Sequence, residues 1–382
     1  MKIRPFAVEE WMNAYETGAA YNIAETCVSS ISVDELFALT GANKREFLDA
    51  FCARRLTYGD IQGAPAFKRG VCKLYRTIAP EDLVTTHGAA GANHHLFYSL
   101  IEPGDRVVTV MPTYQQLYSI PESYGADVKI MRLKPENRYL PDLEELKGLV
   151  VPGTKMICLN NPNNPSGALM NTELLEQIAA IARSVGAWIV CDEVYRHLTQ
   201  TDEWQESIAD LYEKGISVSS MSKTFSLAGL RLGWIATRDR SALKACLSHR
   251  DYNLISCGMF DEALAAVALA HGDALLARNR AIVRANLAIL DEWVAGQPHV
   301  RYVKPVAGTT ALLHYDLDMP SYEFCEKMYR QTGAFVTPGD CFAEPYSLRI
   351  GYACDAATLK AGLAAVSEFL ASYEESHSTP RS

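Results

Sequence analysis

The stretch Ile216-Ser217-Val218-Ser219-Ser220-Met221-Ser222-Lys223, followed by Gly229-Leu230-Arg231-Leu232-Gly233, decides how this chain is read. Its opening residues form a short apolar run that reads as a buried strand. A lysine leaves the end of that run, and an arginine follows eight residues later, past a glycine. A lysine entering a buried loop is costly unless its charge is used or removed. One use is a Schiff base with an aldehyde, which needs the neutral amine of a desolvated lysine. The arginine could then fork onto a phosphate. A surface lysine in a polar turn would carry the same local sequence, so the neighbouring segments decide.

Asn160-Asn161-Pro162-Asn163-Asn164-Pro165-Ser166-Gly167 follows the apolar run Met156-Ile157-Cys158-Leu159, and Cys191-Asp192-Glu193-Val194-Tyr195 follows Ala187-Trp188-Ile189-Val190. Three strand ends therefore carry an amide, an acid with a phenol three residues on, and an amine. Further apolar runs (Leu83 to Thr86, Val107 to Val110, Val128 to Met131) alternate with helical periodicity over Asn93 to Leu100, Tyr114 to Glu122 and Thr172 to Ser184. That rhythm predicts an α/β domain around a mostly parallel sheet. Ligands of such sheets sit at the carboxyl ends of the strands, where these residues fall. His87-Gly88-Ala89-Ala90-Gly91-Ala92 follows one strand and opens a helix, so its free backbone N–H groups are suited to an anion.

In the order asparagine, aspartate and tyrosine, lysine, arginine, the chain resembles the class I and II aminotransferases, fold-type I enzymes dependent on pyridoxal 5′-phosphate (PLP). The resemblance runs from Tyr58 to Arg349. It implies a large domain with a mostly parallel sheet flanked by helices, plus a smaller α+β domain. It also implies that Lys223 forms the Schiff base and moves the α-proton, and that Asp192 faces the pyridine nitrogen. Tyr195 and Asn164 would bond the ring oxygen, although Asn-Pro is also a plain turn former. The backbone of Gly88, Ala89 and Ala90, with Ser220, Ser222 and Arg231, would cradle the phosphate. Family members often carry a hydroxyl residue where this chain has Ala89 and Ala90, so the backbone contact is the one expected there. Tyr114 matches the aromatic that stacks on the ring, an ordinary core tyrosine being the alternative. Tyr58 resembles the tyrosine that reaches the neighbouring subunit's phosphate, implying a homodimer with shared active sites. Arg349 resembles the arginine that forks onto the substrate α-carboxylate.

The N-terminal arm departs from the common pattern. Phe6-Ala7-Val8-Glu9-Glu10-Trp11 and Tyr21-Asn22-Ile23-Ala24-Glu25-Thr26-Cys27, together with His87, are similar to a smaller branch containing the capreomycidine- and enduracididine-forming cyclases. That likeness implies that Glu9 pairs with a guanidinium and that Thr26 or His87 assists proton transfer or substrate binding. The alternative is a solvated Glu9 and a packed His87 bonded to backbone. The expected activity is transamination of an α-amino acid, with cyclisation or β/γ-elimination of a cationic, hydroxyarginine-like amino acid as the alternative.

Bulk properties narrow the field. The 382 residues exceed one typical domain. The expected division is 1–45 for the arm and part of a small domain, 46–285 for the large PLP-binding domain, and 286–382 for the rest of the small domain. Asp261 to Val294 reads as one long connecting helix, and Ser376 to Ser382 as a disordered tail. A net charge of −9 argues against nucleic acid as a partner, since binding phosphates calls for a basic face. No apolar run is long enough for a membrane span, and Met1 to Pro5 lacks the apolar core of a signal peptide. Ten cysteines without a C-x-x-C pair read as reduced thiols of a cytoplasmic protein. Adjacent His94 and His95 point to different helix faces, so no metal is expected.

Overall fold

In the computed structural model, which describes residues 2–378, the apolar runs pair into a seven-stranded sheet. The strand order is Leu83–His87, Leu232–Thr237, Gly215–Ser220, Trp188–Asp192, Thr154–Asn160, Arg106–Met111, Asp127–Arg132. Leu232–Thr237 is antiparallel to both its neighbours, and the other paired neighbours are parallel. Side chains alternate across a strand. Met156 and Cys158 therefore pack on one face, with Leu96, Phe97 and Cys246, while Ile157 and Leu159 pack on the other, with Leu175 and Ile178. Burial on both faces is why these strands read as continuous apolar runs rather than alternating ones.

The covering helices begin and end where the sequence caps them. Asn171 accepts the Leu174 N–H at 2.9 Å to start Thr172–Val185, and Gly186, at φ 72°, takes the left-handed step that ends it. A second, four-stranded antiparallel sheet follows in the order Thr337–Pro338, Ser347–Gly351, Thr310–Tyr315, Val300–Tyr302. Helices Ser321–Thr332 and Ala356–Ser378 contribute Phe324, Met328, Leu363 and Phe369 to the core beside it. The arm joins this half of the molecule, because Tyr21–Asn22 pairs in parallel with Ala334–Phe335.

Two expectations are corrected. The connecting segment is two helices, Met259–Ala270 and Gly272–Ala295. His271 leaves helical backbone between them, next to a glycine, a poor helix former. The final helix extends to Ser378, so the first part of the supposed tail is ordered, and the remainder of that tail lies outside the described residues. All ten cysteines are free thiols. Among the described residues no helix is long and apolar enough to cross a membrane, and no cluster of His, Cys, Asp or Glu is arranged for a metal.

Candidate active site

Register places the polar strand ends side by side. Asn160 pairs with Asp192, Asp192 with Val218, and Ser220 with Gly233. These ends open into a cavity of about 500 Å³ between the two sheets and the arm. Lys223, Asp192, Tyr195, Asn164, Ser220 and Ser222 line it from the large sheet and its loops. Ala89, Ala90, Tyr114 and Arg231 complete that side, and Arg349, Thr26 and Glu9 face it from the second sheet and the arm.

Asp192 is buried at the floor. One carboxylate oxygen accepts the Asn93 side-chain amide at 3.0 Å and the other the Val194 N–H at 3.2 Å. Burial pushes its carboxyl above the usual range, and those two donors and the Lys223 charge only partly offset that. Asn160 braces the same strand end. Its amide donates to the Asp192 carbonyl at 2.9 Å, and its Oδ1 accepts the Asn164 N–H at 2.6 Å. Arg349 is 2 % exposed and donates to Asn164 Oδ1 at 3.2 Å, Ala24 O at 3.1 Å and Thr337 Oγ1 at 3.0 Å. Its Nε has no partner, an unusual state for a buried guanidinium. Tyr114 donates to Glu9 Oε1 at 3.2 Å, and its ring meets that of Phe6 at 5.0 Å. The arm helix Ala7–Tyr15 is also fixed by Trp11, whose Nε1 donates to Val336 O at 2.8 Å.

At the other end of the cavity Gly88, at φ 67°, opens the helix Gly88–Leu100. A Cβ on Gly88 would lie 2.7 Å from Arg231 Nη2, and one on Gly233 would run into the Gly88 carbonyl. Two glycines thus bring a helix N-terminus, with its unpaired N–H groups, against a guanidinium. Such an arrangement is suited to an anion. With Lys223 and a buried carboxylate on the same wall, the arrangement fits a phosphorylated pyridine aldehyde.

Two sequence candidates lie elsewhere. Tyr58 is 69 % exposed and sits with Leu56 and Phe260 on a separate surface depression. His87 is exposed, near Asp261, and does not line the cavity, so a direct contact with a substrate held there is not supported within one chain. Sequence reasoning missed Asn93, Asn160, Glu25 and Cys27. Asn93 had a signal, a polar residue on the apolar face of a helix opened by small residues; Glu25 and Cys27 stand in the arm segment that carries the likeness to the cyclase branch, but that likeness gives neither a role.

Residues 39–366 match the family of class I and II aminotransferases. A PLP-dependent aminotransferase of known structure from Streptococcus suis 89-1591 is 45% identical, with a TM-score of 0.95 over 98% of this chain and 99% of that one. The PLP-dependent cyclase OrfR is 25% identical, with a TM-score of 0.89 over 98% of both chains. Capreomycidine synthase of Streptomyces vinaceus is 30% identical over 96% of this chain and 94% of its own length. With a seven-stranded, mostly parallel sheet presenting Lys223, Asp192 and Arg231 to one cavity, the chain belongs to the class I and II aminotransferase family of PLP-dependent enzymes.

Proposed function

We propose that the protein transaminates an α-amino acid, with Lys223 as the lysine that bonds the cofactor and Arg349 as the holder of the substrate carboxylate. The observation that carries this reading is the meeting of one lysine amine, one buried carboxylate and one buried guanidinium on the wall of a single cavity. Bound there, PLP supplies an aldehyde for Schiff-base formation and a ring that takes up the electron pair left when the Cα–H bond breaks. Gly88, Ala89 and Ala90 would hold its phosphate through backbone N–H groups, with Ser220, Ser222 and Arg231 adding side-chain donors. Asp192, kept aimed by Asn93, would hold a proton on the ring nitrogen. Tyr195 and Asn164 would serve the ring oxygen, and Tyr114 would supply an aromatic face to the ring. Arg349 takes the α-carboxylate on the donor it has left unpaired, which turns the Cα–H bond toward Lys223. Lys223 removes that proton and returns it. The arm helix, through Glu9 and Tyr114, shields the site from water.

A second reading is cyclisation or elimination on a cationic amino acid. It is favoured by the three arm-side carboxylates Glu9, Glu16 and Glu25 on the cavity wall, and by the likeness to capreomycidine synthase and the cyclase OrfR. The holoenzyme, mixed with single amino acids including arginine and γ-hydroxyarginine, separates the two. Release of a 2-oxo acid with loss of the visible absorption supports transamination. A product lighter than substrate by one water, with the visible absorption retained, supports the cyclase or lyase and overturns the first reading.

The same proposal includes a cytoplasmic homodimer in which Tyr58 completes the partner's phosphate cradle. Its exposure beside Leu56 and Phe260, away from its own chain's cavity, supports this. Residues 46–285 then form the cofactor-binding domain and 286–382, joined by 1–45, the small domain.

A further inference from the structure

The amine of Lys223 is held from the arm side. Nζ donates to Thr26 Oγ1 at 2.7 Å and to Cys27 Sγ at 3.3 Å, and lies 3.9 Å from Glu25 Oε1. That same carboxylate oxygen accepts the backbone N–H groups of Thr26 at 2.9 Å and Cys27 at 2.8 Å. Glu25 thus fixes the two residues whose side chains touch the lysine, and adds a negative charge behind them. The segment itself is pinned. Asn22 Oδ1 accepts the N–H groups of Ala24 and Glu25, and Thr309 donates to the Thr26 carbonyl at 2.7 Å. Gly351 leaves room for the Glu25 carbonyl, which a side chain at that position would strike.

We propose that Glu25, Thr26 and Cys27 form a cradle that holds the ε-amine of Lys223 whenever that amine is not bonded to the cofactor, with Glu25 as the positioning residue. The inference rests on Lys223 being the cofactor-bonding lysine. The titratable groups facing Nζ are Cys27, Tyr195 and Glu25, with Asp192 across the cavity. Burial works against the ammonium, and negative charge on Cys27, Tyr195 or Glu25, with the Cys27 hydrogen bond, works for it. Burial pushes the Cys27 thiol up to about 11 and raises the Tyr195 phenol. Both are therefore neutral at physiological pH, and Glu25 is the charge that matters. Its own carboxyl is opposed by burial, but the Lys223 charge and the Thr26 and Cys27 N–H groups bring it below the usual range. The cradle therefore favours the charged, resting form of the amine and sets the pH at which it becomes the neutral nucleophile and base.

The test uses the full-length, cofactor-free chain and PLP itself. The rate at which the Schiff-base absorption grows is measured against pH for the natural chain and for Glu25→Gln, Thr26→Val and Thr26→Ser. Removing the carboxylate or the hydroxyl should move the midpoint of that profile to lower pH by about one unit, which is about tenfold faster loading at a fixed pH below the midpoint. Thr26→Ser, which keeps the acceptor, should stay with the natural chain. Glutamine at position 25 can still accept both N–H groups, so the fold of the segment is retained. If that variant does not fold, the Val and Ser pair at Thr26 decides alone. Midpoints that do not move, or that rise, overturn the cradle. Borohydride reduction and peptide mass mapping run in parallel. Label on a lysine other than Lys223 overturns the underlying assignment, whereas label on Lys223 with unmoved midpoints overturns the cradle only.

Discussion

Arg349 and Lys223 show what burial does to two cations of different chemistry. The guanidinium keeps its charge and is satisfied by three fixed oxygens, whereas an amine can lose its proton and react. Lys223→Ala should therefore leave the protein folded but without the visible band of a lysine Schiff base, read by absorbance after PLP addition and desalting. A band that survives would overturn the lysine assignment. Arg349→Lys keeps the charge but loses the unpaired Nε donor and the three bonds that hold the guanidinium in place. We expect kcat/KM for α-amino acids to fall about ten- to a hundredfold, largely through KM, from the loss of charge-assisted hydrogen bonds. Equal losses for a matched amine lacking the carboxylate would contradict the assigned role. Lys223 is legible as a candidate from residue type and its place just past a strand end, whereas Arg349, in the middle of Ser347–Gly351, is singled out only by the family resemblance. The Nε left unpaired, and the hold on Lys223 by Glu25 and Cys27, were not legible, since they depend on how the arm docks hundreds of residues away along the chain.

At the scale of elements, the loop between Leu83–His87 and Gly88–Leu100 has little spare volume. Gly88→Ala places an L-residue at φ 67° and drives its Cβ into the Arg231 guanidinium. The left-handed backbone alone costs roughly 1–2 kcal/mol. The affinity for PLP, measured by equilibrium dialysis, should fall at least tenfold. The arm is a second such element. Trp11 is buried against Tyr15, Tyr322 and Phe335 and donates to Val336 O. Trp11→Ala should expose the first ~20 residues to limited proteolysis while the rest of the chain stays resistant; an arm that remains protected would show that other contacts hold it. Parallel strands buried on both faces were readable as apolar runs, and their ends were placed to within two residues. Leu232–Thr237 was not recognised as a strand, because Leu-Gly-Trp-Ile-Ala-Thr gives neither a long run nor clean alternation, and its direction is set by pairing with Gly215–Ser220. The break at His271 was hidden by helical periodicity on both sides of it.

Across the whole molecule, a buried network ties the large sheet to its surroundings one residue beyond Asp192. Glu193 pairs with Arg196 at 3.0 Å and accepts from Ser217, Ser207 and the Ile208 N–H. Arg196 in turn lies over the Tyr75 ring and donates to Leu74 O. Glu193→Ala leaves that guanidinium buried without its counter-charge. The expected loss is about 3–5 kcal/mol of stability, read from the urea midpoint. A midpoint shift equivalent to less than 1 kcal/mol would show that Arg196 finds solvent or another partner. Assembly has its own test. Lys223→Ala and Tyr58→Phe chains, each impaired alone, should regain activity when mixed, since a mixed dimer contains one site with both residues intact; no recovery would place Tyr58 outside the partner's site. The antiparallel turn of Leu232–Thr237 has one more consequence. Because that strand comes straight back beside Gly215–Ser220, the loop from Met221 to Arg231 is closed at its base by the hydrogen bond from Met221 N to Leu232 O. Lys223 and Arg231 are thus two points on one clasp, and their spacing travels with the large sheet. Arg349 belongs to the other sheet. On the roles proposed above, any rocking of one half against the other would change the distance from Arg349 to the clasp while the span between Lys223 and Arg231 kept its length.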